Sequence, residues 1–79
     1  GQIAYIDLTV SHNSHLDGEK VKSIEFPFNS KIIKIRRNEH EFLPHGDIIL
    51  TPGDQLQVGS DKGFISQVTR HINKLNQTK

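Results

Sequence analysis

The residues from Ser30 to Val58, SKIIKIRRNEHEFLPHGDIILTPGDQLQV, leave the chain few ways to fold. Short apolar runs alternate there with turn-forming residues, and the pattern has an internal echo. Pro44-His45-Gly46-Asp47 leads into Ile48-Ile49-Leu50, and Thr51-Pro52-Gly53-Asp54 leads into Gln55-Leu56-Gln57-Val58. In the second copy, proline presets φ and the glycine after it takes the positive φ of a type II turn. Asp47 and Asp54 can each accept hydrogen bonds from nearby backbone N–H groups. Turns this close together leave strands of only a few residues, which predicts a compact meander.

The flanks complete a small α+β plan. Ile3 to Val10 alternates, with Ala4, Ile6, Leu8 and Val10 on one face, and predicts a half-buried strand. Ser14-His15-Leu16-Asp17 looks like a helix start with an acid at the third position, so a helix of about two turns is expected with Leu16, Val21 and Ile24 inward. Phe26-Pro27 ends it. Lys31 to Arg37 is the next strand, with Ile33 and Ile35 assigned to one face and Ile32, Lys34 and Arg36 to the other. Asn38-Glu39-His40 turns the chain into a return strand at Glu41-Phe42-Leu43. Gly59 to Gly63 reads as a loop with Ser60 or Asp61 as the cap of a last helix. On that helix Phe64, Ile65, Val68, Ile72 and Leu75 make one apolar stripe. The tail Asn76–Lys79 has no pattern and is expected to fray. The predicted order is β-α-β-β-β-β-α, with helices packed on a mostly antiparallel sheet.

A chain of 79 residues makes a single domain over 1–79. Its hydrophobic content of 33% promises only a modest core, so a partner surface, most simply a second copy, is the expected further source of stability. Ten Lys+Arg against nine Asp+Glu argue against a global electrostatic hold on nucleic acid or an acidic membrane. Without cysteine there is no disulfide, thiolate metal site or thiol nucleophile. No apolar run approaches the roughly 18 residues needed to span a bilayer. With no methionine, even at position 1, the sequence reads as a piece of a longer protein.

His12 and His15 are three apart without a convincing third ligand, and His40 and His45 flank a strand, so no metal is expected. Ser, His and Asp occur, but in no nucleophile-elbow context, and so small a domain has little wall for a water-excluding pocket; no enzyme is expected. Lys31, Lys34, Arg36 and Arg37 form the one concentrated charge cluster. Either it is a solvated strand face with charge protecting an edge, or it is an anion site. In the second case two arginines beside Asn38, with His45 a turn away, offer charge-assisted donors to phosphate, and the interleaved isoleucines offer an apolar wall. A nucleic-acid module would use the same cluster but would need free aromatic platforms, and Phe26, Phe28 and Phe64 read as core or capping residues.

Taken in order, Ile32-Ile33-Lys34-Ile35-Arg36-Arg37, Leu43-Pro44-His45-Gly46-Asp47 and Gly53-Asp54-Gln55-Leu56-Gln57-Val58 resemble the TrkA-C (RCK-C) regulatory domain. Ser14 to Val21 is similar to the short-helix entry of that family, so the resemblance covers nearly the whole chain. It implies a regulatory, non-catalytic domain on the cytoplasmic face of an ion-transport system, attached to the transmembrane part of the same parent. It also implies a homodimer with cyclic di-AMP as a ligand in the cleft between protomers. The Glu25–Ser30 lead-in followed by Ile35-Arg36-Arg37 looks closest to the C-terminal domain of bacterial ClC-type chloride channels, with potassium or cation transport next. Carried over by position, the ligand residues would be Ile32, Ile33, Ile35, Arg36, Arg37, Asn38, Pro44 and His45. Neighbours on a strand face opposite ways, so at most one arginine reaches a cleft; Arg37, at the strand's end, is the expected one. No G-x-G-x-x-G is present, so no dinucleotide cofactor is expected. A nucleic-acid-binding module and a purely structural dimerisation module remain the alternatives.

Overall fold

A computed structural model describes all residues, 1–79. Strand β1 (Ile3–Thr9) is followed by a single 3-10 turn at Val21–Ser23, then by β2 (Lys31–Arg37), β3 (His40–Phe42) and β4 (Gln55–Asp61). A second 3-10 turn, Lys62–Phe64, opens directly into the helix α1 (Ile65–Leu75). The strands form one antiparallel sheet in the order β1-β4-β2-β3, with α1 against one face and the other face open. The α+β class and the closing helix follow the sequence. Val68 and Ile72 are buried, as the apolar stripe requires, and they pack with Ile32, Ile35, Leu56 and Val58 of the sheet.

Two predicted elements are absent for a shared reason. The helix expected after Ser14 and the strand expected at Ile48–Leu50 spend their backbones on each other. Gly18 N–H donates to Leu50 O (2.9 Å), Leu50 N–H to Glu19 O (2.9 Å), Val21 N–H to Ile48 O (2.9 Å) and Lys22 N–H to Gly46 O (3.0 Å). Ser14 Oγ does accept from the N–H groups of Leu16 and Asp17, as a cap would. Gly18 then turns left-handed at φ 86°, and the helix never propagates. Leu16 and Leu50 still reach the core, because pairing supplies the hydrogen bonds that helix or sheet would have given.

Three smaller expectations also change. Gly59–Asp61 belongs to β4 rather than a loop, since β1 continues the ladder out to Ile3 opposite Asp61. The tail docks instead of fraying: Thr78 bridges Ser14, and Lys79 N–H donates to Asn13 O (2.8 Å). Phe28 and Phe64, expected in the core or at caps, stack on the surface at 4.5 Å between ring centroids. Asp61 does serve as a cap, its carboxylate accepting from Gly63 N–H at 2.9 Å.

Candidate functional site: the open face of the sheet

The registry of β2 decides which of its residues can meet a ligand. Ile32 lies opposite Val58, but Lys34 lies opposite Gln57, so Ile33 is the extra residue of a β-bulge. The bulge re-sorts the strand. Ile32 and Ile35 share the helix-covered face and are buried, whereas Ile33, half-buried, lies over Gly59 on the open face beside Tyr5. The expectation that Ile33 and Ile35 share a face, with Ile32 opposite them, is therefore corrected. Ile32 and Ile35 have no surface to offer a ligand in this conformation, being 5% and 0% exposed.

Beyond the bulge Arg36 and Arg37 point to opposite faces. Arg37 turns to the covered side, where Asp54 is 1% exposed. Its Nε donates to Asp54 Oδ1 and its Nη2 to Asp54 Oδ2, both at 2.7 Å, and Nη2 also donates to Ile49 O at 3.0 Å. The ring of Phe42 lies 5.5 Å from the guanidinium carbon. Asp54 in turn accepts from Thr51 N–H (2.9 Å) and closes the Thr51–Asp54 turn. Burial pushes the Asp54 carboxyl up, but the Arg37 hydrogen bonds and the Thr51 N–H outweigh it and hold the group below the ordinary carboxylate range. Arg37 is raised, chiefly by the same hydrogen bonds, against the opposing effect of burial. The guanidinium is thus committed to the fold.

Arg36 is the arginine on the open face. A shallow depression of about 460 Å³ runs there between β1, β4 and β2, lined by Asp7, Thr9, Lys34, Arg36, Gln55 and Gln57, among others. Glu41 of β3 lies 3.5 Å from Lys34 Nζ and 3.6 Å from Arg36 Nη1, and all three side chains are close to half-exposed. One carboxylate shared between two cations leaves surplus positive charge, and solvent screens what pairing there is. Asn38 sits at the tip of the β2–β3 turn at φ 51°, followed by Glu39 at φ 68°. This is the left-handed pair that a two-residue hairpin needs. Pro44 and His45 lie beyond the far end of β3, and no hydrogen bond or ion pair joins them to Arg36 or Asn38. The cluster seen in the sequence is therefore divided: Arg36, Lys34 and Ile33 share the open face, Asn38 borders it, and Arg37 holds the core. Glu41, Gln55 and Gln57 were not anticipated. Alternation along β4 could have flagged the two glutamines, but nothing in the sequence reveals the bulge that aligns them with Lys34.

No group of three or more His, Asp or Glu side chains is arranged to hold a metal ion. A second groove, between the 15–25 segment and α1, includes His15, Glu19 and His71, and His71 Nε2 is 2.7 Å from Glu25 O.

The family model for the TrkA-C domain matches residues 5–73. The chain belongs to the TrkA-C domain family. Among curated proteins it is 35% identical over 60 residues to a Trk system potassium uptake protein TrkA homolog of Archaeoglobus fulgidus. That match takes in 76% of this chain and 14% of the relative, so the chain spans about a seventh of the relative's length. Among solved structures it superimposes on an RCK domain with cda at TM-score 0.70 and 22% identity, over 91% of this chain and 97% of that one. It also superimposes on the RCK_C domain dimer of S. agalactiae BusR in complex with c-di-AMP at TM-score 0.69 and 17% identity, over 94% and 95% of the two chains. At these identities the structural likeness establishes the fold.

Proposed function

We propose that this TrkA-C domain is a regulatory, ligand-sensing module of an ion-transport protein, held at the cytoplasmic face of the membrane by the rest of its parent. The potassium-uptake relative favours that kind of parent over the chloride channel suggested by the Glu25–Ser30 lead-in. The proposed ligand is cyclic di-AMP, bound in a cleft between two copies. The observation that carries the reading is the division of the two arginines. Arg36 stands with Lys34 on an open face where one shared carboxylate leaves positive charge for a phosphate, while Ile33 supplies apolar surface on the same face. The ligand named for the BusR dimer of the same fold has two phosphates and two purines, which suits a patch that occurs twice in a two-fold dimer. Arg36, Lys34, Ile33 and Asn38 are the residues proposed for the ligand, with Pro44 and His45 at the margin. Arg37 is proposed to hold the framework.

Calorimetric titration with cyclic di-AMP, ATP and a short oligonucleotide tests this in wild type, Arg36→Ala and Lys34→Ala. Saturable binding of the cyclic dinucleotide alone, abolished in Arg36→Ala, is expected. Oligonucleotide binding with steep salt dependence would establish the nucleic-acid reading instead. No binding of any of the three would leave a dimerisation module and refute the sensor.

A further inference from the structure

Glu41 stands where an incoming anion would have to sit. It lies directly across from Arg36 in the β2–β3 ladder and diagonal to Lys34, two residues back along β2. Its Oε1 is 3.5 Å from Lys34 Nζ and 3.6 Å from Arg36 Nη1, so a single oxygen serves both cations. Those are the ion pairs the two cations make, whereas Arg37 next door is fixed by three hydrogen bonds.

The contact is too loose to brace either cation. A charge-assisted hydrogen bond would close to about 2.7–2.9 Å, and neither pair does. The three side chains are between 43% and 50% exposed, so water reaches all of them and the carboxylate can swing out at little cost. β3 is a three-residue edge strand, and no further strand lies beyond it to hold Glu41 in place. Asp7 supplies the contrast. It lines the same depression from β1, two strands away from Lys34 across Gln57, and no ion pair joins it to Lys34 or Arg36. Of the two carboxylates in the depression, only Glu41 takes the point between the cations.

We infer that Glu41 is a built-in competitor for the phosphate, one that gives way when an anion binds and so sets how much ligand the domain needs. For the identity of the anion this rests on the ligand reading above; it adds what opposes the grip of Lys34 and Arg36. A phosphate brings several acceptor oxygens and can take a short hydrogen bond from each cation at once, which the one shared oxygen of Glu41 does not. In a two-fold cleft the carboxylate occurs twice, so both copies must yield to a ligand with two phosphates.

Glu41→Gln keeps the size of the side chain and removes its charge. In calorimetry it should bind cyclic di-AMP about tenfold more tightly than wild type, since exposed pairs are broken and a repelling charge is lost. Its affinity should also fall more steeply with added salt, because more uncompensated positive charge faces the phosphates. Asp7→Asn removes the same charge from the same depression but frees no cation, so it should tighten binding by less than about threefold. Inorganic pyrophosphate, followed through the backbone amide shifts of Lys34 and Arg36, should likewise titrate Glu41→Gln at lower concentration than wild type. If cyclic di-AMP binds neither protein while pyrophosphate binds Glu41→Gln more tightly, the ligand reading falls and the competitor stands. If cyclic di-AMP binds wild type but binds Glu41→Gln equally or more weakly, the ligand reading stands and Glu41 is a brace. Equal tightening in Asp7→Asn, or pyrophosphate that fails to distinguish Glu41→Gln from wild type, would also overturn the competitor.

Discussion

Arg36 and Arg37 are neighbours in the chain, and the two faces of the sheet put them to opposite uses. Arg37 turns to the core side against the Ile49–Asp54 segment, finds a carboxylate that is 1% exposed, and forms a two-pronged ion pair with it. Arg36 reaches a face that nothing covers and shares Glu41 with Lys34 at 3.5–3.6 Å, beyond good hydrogen-bond distance. Identical side chains one residue apart become a structural tie and an available cation. Desolvation makes the difference: a carboxylate out of water is costly to leave unpaired, and a pair in water is nearly free to break.

The covered face should respond most. Ile35→Ala, at a fully buried position between α1 and the sheet, should cost about 4 kcal/mol in urea unfolding. A loss under 1 kcal/mol would mean that the face is not sealed. Arg37→Ala should cost about 3 kcal/mol, because it leaves Asp54 buried without its counter-ion. The pH dependence sharpens this. The Asp54 pKa is lowered in the folded state, so its stabilisation is full above the unfolded value of about 3.9 and is lost as pH falls through the lower folded value. Wild type should therefore lose stability in acid more steeply than Asp54→Asn, and parallel acid curves would refute the tie.

Smaller effects come from the turn and the open face. Gly53 has φ 91°, so Gly53→Val should cost about 1–3 kcal/mol through backbone strain, whereas replacing Gln57 should cost little. Equal melting shifts would contradict the turn assignment. At Gly59 a Cβ would come within 2.9 Å of Ile33 Cδ1 and Cγ1. Gly59→Ala should cost about 1 kcal/mol, and Ile33→Ala in the same chain should recover most of it. The smallest expected change is Arg36→Ala, within about 0.5 kcal/mol of wild type without ligand. A large loss there would erase the contrast with Arg37.

Alternation along β1, the Pro-Gly-Asp turn and the apolar stripe of α1 were legible because each is a local pattern read against a known period. Local pattern was also enough to place a cationic cluster at the end of β2 and to show that only one of its arginines could face a given side. Contacts distant in sequence decided the rest. Residues 18–22 paired with 46–50 and so became neither helix nor strand, since long-range backbone bonds outweigh the weak propensity of a short segment containing Gly18. A single extra residue at Ile33 turned Ile32 into the core and put Ile33 on the open face with Lys34 and Arg36, because strand side chains repeat every two residues and any insertion inverts what precedes it. Asp54 lies 17 residues from Arg37 and is read locally as a turn aspartate; only folding brings the two charges to 2.7 Å and takes Asp54 out of water.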